Sequence, residues 1–97
     1  MIGLGIVGCG WAAGEIVRAS NGLDGLRIVS VFDTDRARAE ALAATAGASV
    51  AADVDAMLRD PQIGAIYVGL PHGLLPEIVQ RALDTGKHVL REEPVAL

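Results

Sequence analysis

The first residues whose types and spacing can do chemistry are Gly8-Cys9-Gly10-Trp11-Ala12-Ala13, which fit the pattern G-x-G-x-x-A. In that pattern Gly8 allows a tight turn, Gly10 lets the backbone approach a pyrophosphate, and small Ala13 permits close contact between a helix and the strand beneath it. A helix opening here would aim its first N–H groups at the anion. Asp33 stands 23 residues after Gly10, at the end of a second apolar run. An acidic side chain at that place accepts hydrogen bonds from an adenosine ribose. Taken singly, the glycines only turn a strand into a helix, and Asp33 only caps the helix that follows. Their conjunction points to a dinucleotide. A P-loop is excluded, because no Gly-Lys-Ser/Thr follows the glycines. A methyltransferase nucleotide site also uses glycines after a first strand and an acid after the second, and Ala13 favours the dinucleotide version.

Other chemically able residues carry weaker signals. His72 and His88 are isolated, without nearby thiols or carboxylates, so no metal site is expected. His72 sits in a loop where it can touch cofactor or substrate, whereas His88 reads as a packing residue. Arg36 and Arg38 flank Asp35 at a helix start, where solvated charges are the usual outcome. Trp11 either meets a ligand or packs under a neighbouring loop.

The elements that must position these residues alternate from the first residue onward. Ile2 to Val7 is a short apolar run, and Ala13, Ile16, Val17 and Ser20 then recur at the spacing of one helix face. Leu26 to Phe32 reads as the second strand, followed by a helix stripe of Ala39, Leu42, Ala43 and Ala46 that stops at Gly47. Ser49 to Ala51 is a short third strand, and Asp53 is the N-cap of a helix carrying Val54, Met57 and Leu58. Ala65 to Gly69 is a fourth strand. Leu75, Ile78, Val79 and Ala82 mark a helix with Gly86 at its C′ position, and His88 to Leu90 is a fifth strand. Helical crossovers make the strands parallel, and right-handed crossovers on both faces give a doubly wound α/β sheet of order 3-2-1-4-5.

Composition agrees with one domain over residues 1–97. Of these, 52% are apolar but only 3% aromatic, so the core must be built from Val, Leu, Ile and Ala. A net charge of −4, with Lys87 the one lysine, argues against a nucleic-acid partner. No stretch reaches the roughly 18 apolar residues of a membrane span. The segment Met1 to Cys9 lacks the basic start of a secretion signal, although Ile6-Val7-Gly8-Cys9 looks like a lipid-attachment box. Cys9 is the sole cysteine, so no internal disulfide forms, and a reducing cytoplasm is the expected compartment.

From Gly5 to Leu97 the sequence resembles the N-terminal domain of the glucose-fructose oxidoreductase and inositol dehydrogenase family, Gfo/Idh/MocA. The carriers are GIVGCGWAA, VFDTDRARAEALA and IYVGLPHGLLPEIVQRALDTGKHVLREEPVAL. In the last block the family typically has a Thr-Pro-Asn loop, Ala-Leu-x-x-Gly-Lys-His-Val and Glu-Lys-Pro. The resemblance implies a Rossmann domain of an NAD(P)-dependent oxidoreductase acting by hydride transfer on a sugar, cyclitol or related polyol. It places Gly8, Gly10, Trp11 and Ala12 along the pyrophosphate, Asp33 at the adenosine ribose and Arg38 beside the adenine. Leu70, Pro71 and His72 would lie in the loop beside the cofactor, and Glu92 near the nicotinamide ribose. Glu93 takes the place of the family's Lys, the candidate catalytic position that contacts the reacting hydroxyl, and Leu75 takes the place of a common His. NAD is expected over NADP, since a carboxylate at position 33 repels a 2′-phosphate, while Arg36 and Arg38 pull the other way.

Such a domain normally adds a sixth strand and a C-terminal substrate domain, both absent here, so the chain reads as the cofactor half of a two-domain enzyme. A polyol substrate is expected only with that second domain, which an open reading frame running past Leu97 would supply. The alternatives are a freestanding dinucleotide-binding module without a reaction of its own and, third, a methyltransferase-like or flavin-binding unit. Without a sixth-strand neighbour, His88 to Leu90 would expose unpaired backbone groups, which favours a homo-oligomer. Sedimentation of the 97-residue chain should therefore show concentration-dependent self-association. A strictly monomeric species at high concentration would count against the open edge.

Overall fold

The computed structural model describes residues 1–69 and 75–91. Its elements are β1 (Ile2–Val7), α1 (Trp11–Ser20), β2 (Leu26–Phe32), α2 (Arg36–Ala46), β3 (Ser49–Val50), α3 (Val54–Arg59), β4 (Ala65–Val68), α4 (Leu75–Asp84) and β5 (His88–Arg91). All strand pairs are parallel, in the order β3-β2-β1-β4-β5. The expected architecture is thus the one observed, with a register shift between Leu4 and Gly5 as the only irregularity in the β1–β2 pairing. Strand ends differ by a residue: β3 stops at Val50 and β4 at Val68, although the next N–H groups, of Ala51 and Gly69, still bond to Val31 and Val7 carbonyls at 2.8 Å.

Helix boundaries follow local chemistry. The Asp35 carboxylate accepts from the N–H groups of Ala37 and Arg38 at 3.1 and 3.3 Å, so Asp35 caps α2 and Asp33 does not. Asp53 accepts from Ala56 N–H at 2.7 Å and caps α3 as expected. At the other end of α4, Gly86 adopts φ +80°, and two bonds close the turn, from Gly86 N–H to Leu83 O and from Lys87 N–H to Ala82 O. That is the αL C-cap for which glycine is the low-strain residue. The Lys87 ammonium then donates to the carbonyls of Asp60 and Ile63 at 2.9 and 2.6 Å, tying the α4–β5 turn to the loop before β4.

Two apolar layers sandwich the sheet. On one face Leu4, Ile6, Ile28, Ala65 and Tyr67 pack with Ala13 and Val17 of α1 and Ala39 and Ala43 of α2. On the other, Val7, Ile66 and Val68 pack with Met57 and Leu58 of α3 and Ile78 and Ala82 of α4. Because α1 and α2 cover the β1–β3 side, a groove of about 340 Å³ remains beside α1, lined by residues such as Ile2, Leu23 and Leu90. β5 is the outer strand, and its His88, Leu90 and Arg91 are exposed. His88 is therefore not the packing residue that its place beside Lys87 suggested, because it pairs with Ala65 on the α1 side of the sheet and borders the groove that α1 leaves open.

β1 presents Gly3, Gly5 and Val7 to the α3 side. A Cβ on Gly3 would lie 1.9 Å from the Gln62 carbonyl oxygen, and one on Gly5 would lie 2.8 Å from the Met57 Cε and 3.0 Å from Ile66 Cδ1. Small residues here let α3 and its following loop sit directly on the central strand. Gly5→Ala should therefore cost about 1–3 kcal/mol by overpacking, with the greater loss for Gly3→Ala, whose obstacle is backbone. Gly64→Ala, which meets open space, is the control. Denaturant unfolding of the three variants measures the order.

Candidate functional site

The carboxyl ends of β1, β2 and β4 meet where the strand order reverses direction on either side of β1. Ligands of open α/β sheets bind at such a switch point. Gly8 leaves β1 at φ +94° and donates its N–H to Phe32 O at 2.8 Å. A residue with a Cβ would be strained at that φ. Gly10 is different: its φ is −84°, and a Cβ there would meet nothing within 4 Å. Nothing among the described residues requires glycine at position 10, which leaves its open side clear.

Gly10 is also the N-cap of α1. It supplies no side-chain cap, and the first turn carries no acidic residue. The N–H groups that open α1 therefore point past the glycine loop with the positive end of the helix behind them. Trp11 stands at this start and is 79% exposed, so it does not pack under a loop of the described residues.

Asp33 follows β2 and touches both loops. Its Oδ2 accepts from Cys9 N–H at 2.8 Å and its Oδ1 accepts from Asp35 N–H at 2.8 Å. Arg38 pairs with Asp35 at 3.5 Å and Arg36 with Glu40 at 3.1 Å, both on the exposed side of α2. Two adjoining clefts share Gly8, Gly10 and Gly69. One, of about 390 Å³, is completed by Cys9, Asp33, Thr34 and Arg38. The other, of about 270 Å³, is completed by Trp11, Ala12, Ala13 and Tyr67. Together they make one groove across the ends of β2, β1 and β4.

The structure thus brings together Gly8, Gly10, Trp11, Ala12, Asp33 and Arg38. Leu70, Pro71, His72, Glu92 and Glu93 lie outside the described residues, as does the side chain of Leu75. Thr34, Tyr67 and Gly69 join the groove without having been singled out from the sequence. Gly69 had a usable signal, since it ends a buried strand, and a Cβ on it would lie 3.1 Å from the Tyr67 ring. Tyr67 had none, because the alternation of β4 shows only that it faces the α1 side.

The Cys9 thiol is half-buried, 3.5 Å from the Phe32 carbonyl. Burial, and secondarily the Asp33 carboxylate, push its pKa up to about 11 from 9.0. The thiol is therefore protonated at neutral pH and a poor nucleophile. Since the folded chain holds this proton more tightly than the unfolded one, the contribution of the group to stability is complete below pH 9 and lost as pH rises from 9 towards 11. Wild type should lose stability over that window relative to Cys9→Ala, with a constant difference below it. Denaturant titrations at stepped pH measure this, and parallel curves through pH 11 would contradict the raised pKa.

Residues 2–97 match the model of the Gfo/Idh/MocA family, described as an oxidoreductase family with an NAD-binding Rossmann fold. An inositol 2-dehydrogenase/D-chiro-inositol 3-dehydrogenase of Lacticaseibacillus casei is 34% identical over 99% of this chain and 29% of its own length. Among solved structures, GenD2 of gentamicin A biosynthesis in complex with NAD superposes with a TM-score of 0.90 at 26% identity, over 99% of this chain and 28% of that one. KijD10, a 3-ketoreductase from Actinomadura kijaniata in complex with NADP, superposes with a TM-score of 0.87 at 30% identity, over 96% of this chain and 30% of that one. The chain spans less than a third of the length of these relatives. No helix among the described residues is long and apolar enough to cross a membrane. The chain thus belongs to the Gfo/Idh/MocA oxidoreductase family as its NAD-binding Rossmann domain.

Proposed function

We propose that this domain is the cofactor-holding portion of a longer oxidoreductase, with residues 1–97 carrying the dinucleotide and a further domain carrying the polyol. Gly8, Gly10, Trp11 and Ala12 line the pyrophosphate, Asp33 receives the adenosine ribose and Arg38 flanks the adenine. Leu70, Pro71, His72 and Glu92 serve the nicotinamide half. When bound, the dinucleotide supplies the hydride acceptor or donor. The observation that carries this reading is Gly10, the uncapped start of a helix whose open side nothing among the described residues fills. A pyrophosphate needs just that clearance and those free N–H groups. Inositol and sugar-related relatives support the polyol as substrate class.

NAD is the preferred cofactor. Asp33 borders the same cleft as Arg38, but Arg38 is paired to Asp35 there. The carboxylate disfavours a 2′-phosphate, and the committed guanidinium is less able to offset it. Trp11, exposed at the mouth of the groove, reports binding by fluorescence. Titration should give tighter binding of NADH than of NADPH, a smaller gap in Asp33→Ala, and weakened binding of both in Gly10→Val. Equal affinities for the two cofactors in wild type would remove the argument from Asp33, and an unchanged Gly10→Val would remove the site.

Glu93 stands where the family has a Lys. A Lys there donates a hydrogen bond and stabilises an alkoxide as hydride leaves carbon, whereas a carboxylate opposes the developing negative charge. Glu93 is therefore idle in polyol oxidation or serves a changed chemistry. In a full-length parent, Glu93→Lys should raise turnover across a polyol panel. A fully active parent that the lysine slows would instead show that Glu93 has a role of its own.

A further inference from the structure

We propose that Asp33 is a positioning residue for the glycine loop, so that it governs the pyrophosphate half of the groove as well as the adenosine ribose. Its two carboxylate oxygens are directed at different loops. Oδ2 takes the Cys9 N–H and Oδ1 takes the Asp35 N–H, each at 2.8 Å. With the bond from Gly8 N–H to Phe32 O, also 2.8 Å, residues 8–9 are zipped to residues 32–33 by consecutive N–H groups, the second of them held by a side chain.

The loop needs such a tie. Cys9 lies between two glycines, Gly8 at φ +94° and Gly10 with no contact within 4 Å of its Cβ position. Glycine backbone has the most conformational freedom to lose. The Cys9 side chain packs at the edge of the α1-side core and makes a long 3.5 Å contact with Phe32 O, neither of which fixes the direction of its N–H. The Asp33 carboxylate therefore restrains the peptide that sets the direction of Gly10 and the start of α1. A binding loop ordered before the ligand arrives loses less entropy on binding. Only a carboxylate can do this without rearrangement: an Asn offers one acceptor oxygen, and its NH₂ would face a backbone donor.

The proposal rests on the dinucleotide reading in its binding arm and is independent of it in its dynamic arm. The dynamic arm follows amide hydrogen exchange of the free 97-residue chain by NMR. In Asp33→Asn, and more so in Asp33→Ala, exchange at the Cys9 amide should rise about tenfold, the scale of one lost hydrogen bond. The β1 and β4 amides should keep their protection, which shows that the variants remain folded. The binding arm titrates NADH and an NADH analogue whose adenosine ribose lacks both hydroxyls. If Asp33 positions the loop, Asp33→Asn also weakens the analogue several-fold. If Asp33 acts only on the ribose, the analogue binds both proteins equally and the Cys9 amide exchanges at the wild-type rate, which overturns the proposal. Should wild type bind neither ligand, the dinucleotide reading fails, and the exchange arm still decides the tie.

Discussion

The rest of this structure depends on the close approach of two layers to one central strand, β1. Its backbone bonds to β2 on one side and β4 on the other, and both its faces are covered. A strand in that position has no solvent face on which to put polar residues, so its sequence is apolar throughout. It also has no room on the α3 side, where Gly3 and Gly5 stand beneath the Gln62 carbonyl and Met57. Shifting this strand by one residue would turn those glycines to the α1 side and put Leu4 and Ile6 against α3. The register of the whole sheet is set by this packing, and the groove at its carboxyl end inherits it.

The chain runs from β1 through α1 to β2 on one side and returns from β3 through α3 to β4 on the other, and because each crossover is right-handed, α1 and α3 lie on opposite faces of the sheet. Among the described residues nothing covers the carboxyl end of β1 from above, and the two clefts form there. Backbone N–H groups at the start of α1 line one side, and Asp33, Thr34 and Arg38 line the other. The backbone N–H side suits an anionic, extended ligand.

Cys9 shows how the same arrangement restrains reactivity. A thiol beside an opened helix would ordinarily be activated by the helix field, yet this one is turned toward Phe32 O and shares its surroundings with a carboxylate. Burial and the like charge that would result both oppose ionisation, so the loop keeps its shape without exposing a nucleophile to the bound molecule.

Much of this was legible in the sequence, because its signals were local. Glycines and Asp residues at element ends report backbone conformation and capping directly, which is why Gly47, Gly86 and Asp53 ended or began helices as expected. Continuous apolar runs and the 3.6-residue period separated strand from helix, and the glycine motif, which puts β1 at the centre with the order reversing beside it, then gave the strand order. What the sequence could not rank was which of two neighbouring acids does what. Asp33 and Asp35 both fit a helix cap by type and spacing, and only the folded β2–α2 turn assigns the cap to Asp35 and sends Asp33 back to Cys9. That choice is made by contacts 24 residues apart in the chain. The same holds for Tyr67 and Gly69 in the groove, for the small face of β1 and for the exposure of His88, each of which depends on what another element leaves or takes in three dimensions.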